Sequence, residues 1–158
     1  MRAALRAATE ITHLRLHEHP LFADLAAERI DRNGYTRLLQ ALYGFHRPLE
    51  DLMTDVPRTW WFGLDREPRM RAHLLIDDLG SLGCVGEMRA IPLTLLEHIK
   101  SPGDLFGRMY VREGATLGGR VLSQKLDTLL GAGYEGRRFL AGTPDDENSG
   151  AGFAKPWK

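Results

Sequence analysis

The sequence predicts an all-α protein of a single domain, and three observations carry that prediction. Apolar residues recur at three- and four-residue spacing along most of the chain, no segment alternates polar and apolar residues between hairpin turns, and no repeat of fixed period is present. At 158 residues and 43% hydrophobic content, the chain can bury one core but not two comfortable ones.

The first helix is expected over Arg2 to Leu16, where Leu5, Ala8, Ile11, Thr12 and Leu16 recur at helical spacing. Pro20 limits it, because the residue before a proline is pushed out of helical geometry, and Leu21 to Ala27 predicts a short second helix. Asn33 is the expected cap of a long third helix over Tyr35 to Val56, with Tyr35, Leu38, Leu39, Leu42, Phe45, Leu49 and Leu52 on its apolar face and a bend near Gly44 and Pro48. Thr59 to Pro68 reads as an aromatic connection. A helix through Met70, Leu74, Leu75, Ile76 and Leu79 then ends near Gly80 and Gly83, Cys84 to Pro92 reads as a loop, and Leu93 to Ile99 as a short helix. Ser101-Pro102 is a cap followed by proline at the first helical position, and it opens a helix expected to reach about Leu130. The helical domain is thus assigned to residues 1–141. Residues 142–158, rich in turn formers and acids, read as an irregular tail.

Lysine plus arginine equal aspartate plus glutamate at 21 each, so the positive excess needed for nonspecific nucleic-acid binding is missing. The single cysteine, Cys84, excludes an intramolecular disulfide and any multi-cysteine zinc or iron–sulfur site, and reads as an inert buried thiol. No secretory signal pattern opens the chain and no run reaches the length of a membrane span, which makes a soluble, cytoplasmic protein the expectation.

Gly114, Gly118 and Gly119 fall inside the last long helix, where each costs up to about 1 kcal/mol relative to alanine. Gly114 and Gly118 share one face and Gly119 is expected to widen the bare strip, either for a flat ligand or for a close helix crossing. Tyr110 and Arg112 offer polar groups one turn earlier. On the first helix, His13 suits either an axial haem ligand or an ordinary satisfied histidine. His13, His17 and His19 together could bind a metal or form a basic turn, though no His-Glu-x-x-His pattern accompanies them. His46 and Glu50, one turn apart, fit an acid–base or hydrogen-bonded pair or, as the ordinary reading, an aromatic core stripe with a surface ion pair. Trp60, Trp61 and Phe62 read as packing.

Leu5-Arg-Ala-Ala-Thr9-Glu-Ile-Thr-His13, Tyr43-Gly-Phe-His-Arg-Pro-Leu-Glu50 and Tyr110-Val-Arg-Glu-Gly-Ala-Thr-Leu-Gly-Gly-Arg-Val-Leu122, in that order, resemble the biliverdin-producing haem oxygenases of bacteria, especially those paired with bacteriophytochromes. The resemblance implies a haem-oxygenase-like helical bundle in which haem is both cofactor and substrate. It is cleaved to biliverdin, carbon monoxide and ferrous iron with O2 and electrons from an external ferredoxin or reductase, and a bacteriophytochrome is the implied recipient of biliverdin. By the same resemblance His13 is the proximal iron ligand, and Gly114, Ala115 and Gly118 form the distal helix over the haem face. Arg6 and Tyr110 are implied partners of the haem propionates. Ala115 stands where many members carry an aspartate, and His17 stands where an acid often orients the proximal imidazole. Arg137 or Arg138 is the implied replacement for a basic residue on a missing final helix. A noncatalytic haem-binding or haem-sensing protein, and a bundle repurposed for another ligand or a non-haem metal, are the alternatives.

Overall fold

The computed structural model describes residues 2–84, 86 and 90–142. Helices α1 (Arg2–Glu18), α2 (Pro20–Ala26), α3 (Arg32–Asp55), α4 (Ala72–Ser81), α5 (Pro102–Gln124), α6 (Asp127–Leu130) and α7 (Arg138–Ala141) follow one another. Short 3-10 turns at Arg58–Trp61 and Glu67–Arg69 fill the aromatic connection. No strand occurs among the described residues, as the helical periodicity requires.

The core forms around α3. Its buried residues Tyr35, Leu38, Leu39, His46, Leu49, Glu50 and Met53 keep three- and four-residue spacing along one face. The first half packs with Leu25, Leu75, Leu79, Leu126 and Leu140, and the second half with Trp61, Leu105 and Met109. Packing runs from α3 to α4, from α4 to α7 and from α7 to α5, while α2 touches α3 and α1 meets α2 at their junction.

The cap of α3 is Asp31, whose carboxylate accepts from Gly34 N–H at 2.7 Å, two residues ahead of the expected Asn33. Both residue types cap well, and the carboxylate that comes first closes the turn. The short helix expected over Leu93 to Ile99 does not form; residues 91–100 run without regular structure. Pro48 has no N–H, so the carbonyl four residues earlier, on Gly44, loses its helical donor. Thr94 N–H supplies it at 2.8 Å, which commits that stretch to lying across α3 instead of winding.

Ser101 caps α5 through its hydroxyl, which accepts from Asp104 N–H at 3.1 Å, with Pro102 at the first turn as expected. The helix ends at Gln124 rather than near Leu130; Lys125 and Leu126 tighten into i→i−3 bonds before α6 begins. Arg137, 3% exposed, stitches this break by donating to the carbonyls of Ser123 (2.8 Å), Leu126 (3.2 Å) and Gly131, and it pairs with Asp127. Asp78 of α4, with no exposed surface, accepts from Arg138 N–H (2.8 Å) and Phe139 N–H (2.9 Å) and so starts α7. Residues 143–158 of the expected tail lie outside the described residues.

Candidate functional site

The two sides of α5 differ in kind. Leu105, Met109, Arg112, Gly119 and Ser123 are buried, with Thr116 half-buried among them. The opposite side exposes Val111, Gly114, Ala115, Gly118 and Val121, none of them charged. A Cβ built at Gly114 or Gly118 would meet no heavy atom within 4 Å, so neither glycine serves a close helix crossing among the described residues. Each gives up about 1 kcal/mol of helix stability that no contact among the described residues recovers.

Gly119 departs from the expectation. A Cβ there would come 3.0 Å from the carbonyl oxygen of Leu140, so this glycine admits α7 and does not widen the bare strip. Tyr110, half-buried, lies at the edge of the strip. Arg112 is 5% exposed on the reverse side, where its guanidinium pairs with Glu50 Oε1 at 3.2 Å.

On α1 the residues Ile11, Leu14 and Leu16 are 67%, 57% and 49% exposed, unusual for the apolar residues of an amphipathic helix. His13 is exposed on the same helix, and its ring meets that of His17 edge to face with centroids 4.5 Å apart. His19 is separate from this pair: its Nδ1 accepts from Leu21 N–H at 3.3 Å and caps α2. No group of three histidine, cysteine or acidic side chains able to hold a metal occurs among the described residues. Arg6 lies on α1 two turns before His13, and its side chain lies outside what is described.

Of the two readings of His46 and Glu50, the acid–base pair is not made, and the aromatic stripe forms with an ion pair from Glu50 to Arg112 that is buried and not at the surface. Glu50 instead accepts from Arg71 N–H (2.6 Å) and Ala72 N–H (3.0 Å), and His46 packs edge to face on Phe139 with its Nδ1 lacking a hydrogen-bond partner. Burial, and then the charges of Arg112 and Arg71, push the His46 pKa down to about 3, which keeps the ring neutral and removes it as an acid–base group near neutrality. The sequence signal for Glu50 was present: it falls on the apolar face of α3, where a charge needs a partner. Arg137 is likewise committed to backbone carbonyls and is not free to meet a propionate, whereas Arg138 is 46% exposed in its side chain beside Asp77.

Depressions of about 190 Å³, lined by Arg47, Glu50, Asp51, Thr54 and Met70, and about 100 Å³, lined by Arg58, Trp61, Asp65, Arg66 and Glu67, lie away from the strip. Both fall below the ~300 Å³ of a usual small-molecule pocket and are lined mainly by charge. The strip and α1 expose apolar side chains, as do Phe62, Leu93 and Leu95 elsewhere on the surface.

These features define a single-domain helical protein with an uncharged, exposed stretch of α5 bare of side chains at Gly114 and Gly118. A family model described as heme oxygenase matches residues 1–149, and the chain belongs to the heme oxygenase family, a family of haem-degrading oxidoreductases. No curated protein and no solved structure matches the chain. No described helix is long and apolar enough to cross a membrane.

Proposed function

We propose that this chain cleaves haem to biliverdin, carbon monoxide and ferrous iron, using O2 and electrons from an external ferredoxin or reductase. The observation that carries the reading is the open space over Gly114 and Gly118, two helix-weakening residues that no contact among the described residues accounts for. Bound haem supplies the iron that activates O2 and the macrocycle that is oxidised.

The residues present fit such a group. Ile11 and Leu14 of α1, with Val111 and Val121 of α5, offer exposed apolar surface to a flat macrocycle. His13 would offer an imidazole nitrogen to iron, and the edge contact from His17 restricts how its ring turns. Gly114 and Gly118, with only a methyl group at Ala115, would let the α5 backbone come close to a bound macrocycle and leave room for O2 and water. Tyr110 and Arg6 are the assigned propionate partners, by hydroxyl and guanidinium hydrogen bonds. Delivery of biliverdin to a bacteriophytochrome, and residence in the cytoplasm, belong to the same proposal.

Hemin added to the purified chain should give a Soret band, and reductant in air should then convert it to the biliverdin spectrum. His13→Ala should lose the axial-ligand signature and turnover; an unchanged Soret band with unchanged turnover refutes its assignment. The His13–His17 contact favours one second reading, a haem-binding protein without turnover, because an imidazole takes the place from which a carboxylate would polarise the ligand. A stable haem spectrum that yields no biliverdin under reductant in air would select it.

A further inference from the structure

The reverse side of α5 carries charge where the front carries none. At 3.6 residues per turn, Arg112 lies about 160° around the helix from Gly114 and about 120° from Gly118. Its guanidinium stands 3.2 Å from Glu50 Oε1 and 3.8 Å from Met53 Sδ, with both α3 residues buried. Glu50 cannot follow if α5 turns. Its oxygens are already held by the amides of Arg71 and Ala72 at the start of α4, at 2.6 Å and 3.0 Å. Arg71 reaches on to Thr116 Oγ1 of α5 at 3.1 Å and to the Phe139 carbonyl at 2.7 Å.

Apolar contact alone would hold α5 loosely in this respect. The inward row sets Leu105 and Met109 near the start of α5 and the small Thr116 and Gly119 further on, where only the approach of the Leu140 carbonyl to Gly119 marks a direction, and burial itself has none. A buried ion pair adds little net stability over an apolar pair of similar size, and its best-attested use is to select one arrangement among several. We infer that Glu50 and Arg112 are positioning residues: their ion pair fixes the rotation of α5 about its axis and so keeps Gly114 and Gly118 facing the ligand. This rests on the reading of the strip as the haem-facing surface.

The test compares wild type, Glu50→Gln, and the double variant Glu50→Gln/Arg112→Met, each loaded with hemin, reduced and exposed to carbon monoxide. The single variant strands a buried cation and is expected to fold poorly. The double variant removes both charges and should keep wild-type helix content and a melting temperature close to wild type. It should bind hemin with an affinity within about threefold of wild type, because most contact is apolar, yet turn over at least about tenfold more slowly through misplacement of the helix. Its C–O stretching band, which senses the backbone dipoles over the bound gas, should broaden or split. A single band at the wild-type frequency with wild-type turnover overturns the inference alone. A double variant that does not fold also overturns it, since the pair would then carry stability and not direction. Wild-type protein that fails to bind hemin overturns the reading of the strip and the inference with it.

Discussion

Thr94 donates its backbone N–H to the carbonyl of Gly44 at 2.8 Å, taking the place of the donor that Pro48 cannot provide. The same crossing brings the Pro92 carbonyl within 2.4 Å of where a Cβ on Gly44 would stand, so helix α3 carries a proline and an adjoining strap as one unit. Gly44→Ala should therefore cost at least about 2 kcal/mol in urea unfolding, because the obstructing atom is backbone and cannot rotate away. Pro48→Ala restores the helical donor and should speed exchange of the Thr94 amide, measured by hydrogen exchange, as the carbonyl gains a competing partner.

Glycine-to-alanine substitutions along α5 should split by face. Gly114→Ala and Gly118→Ala fill open space and should each raise haem-free stability by about 0.5–1 kcal/mol, a rise of a few degrees in melting temperature. The same two changes should weaken hemin binding or slow its conversion. Gly119→Ala should lower stability, because its Cβ would press on the Leu140 carbonyl at 3.0 Å. Melting curves with and without hemin check both halves.

Two buried groups give stability opposing pH slopes. His46, held near 3 by burial and by the charges of Arg112 and Arg71, takes its proton far more readily when unfolded, so its contribution is present above about 6.5 and is lost as pH falls toward 3. His46→Phe should remove that loss, and its stability relative to wild type should improve by about 2 kcal/mol between pH 7 and pH 5. Asp78 runs the other way: burial raises it to about 6 against the opposing amides of Phe139 and Arg138, so its contribution is full below about 3.8 and is lost as pH rises through 6. Asp78→Asn should abolish that second slope in unfolding curves taken between pH 4 and pH 7.

Arg137→Met should destabilise by on the order of 3 kcal/mol in urea, because it strips donors from the buried carbonyls that close the break between α5 and α6. Arg138→Met, at a half-exposed side chain beside Asp77, should change stability by less than about 0.5 kcal/mol. The contrast between neighbouring arginines is the measurement.

Local signals announced most of the helices. The Ser101-Pro102 start, the α3 face from Tyr35 to Met53, and the end of α4 near Gly80 are each decided within a turn or two of chain. Leu93 to Ile99 was illegible for the opposite reason: its helical spacing is local, but the carbonyl that claims Thr94 lies fifty residues earlier on α3. Gly119 was misassigned from spacing because only the position of α7, set by Asp78, shows which glycine meets backbone. Glu50 and Arg112 each sat visibly on an apolar face, yet their partnership needed α3 and α5 side by side.

Gly114 and Gly118 meet nothing among the described residues, and helix stability by itself favours replacing them. A screen that rewards heat resistance would fill the strip with methyl groups and return sturdier proteins whose proposed ligand face is blocked. Breeding this protein for durability therefore requires that every round also select for the tetrapyrrole.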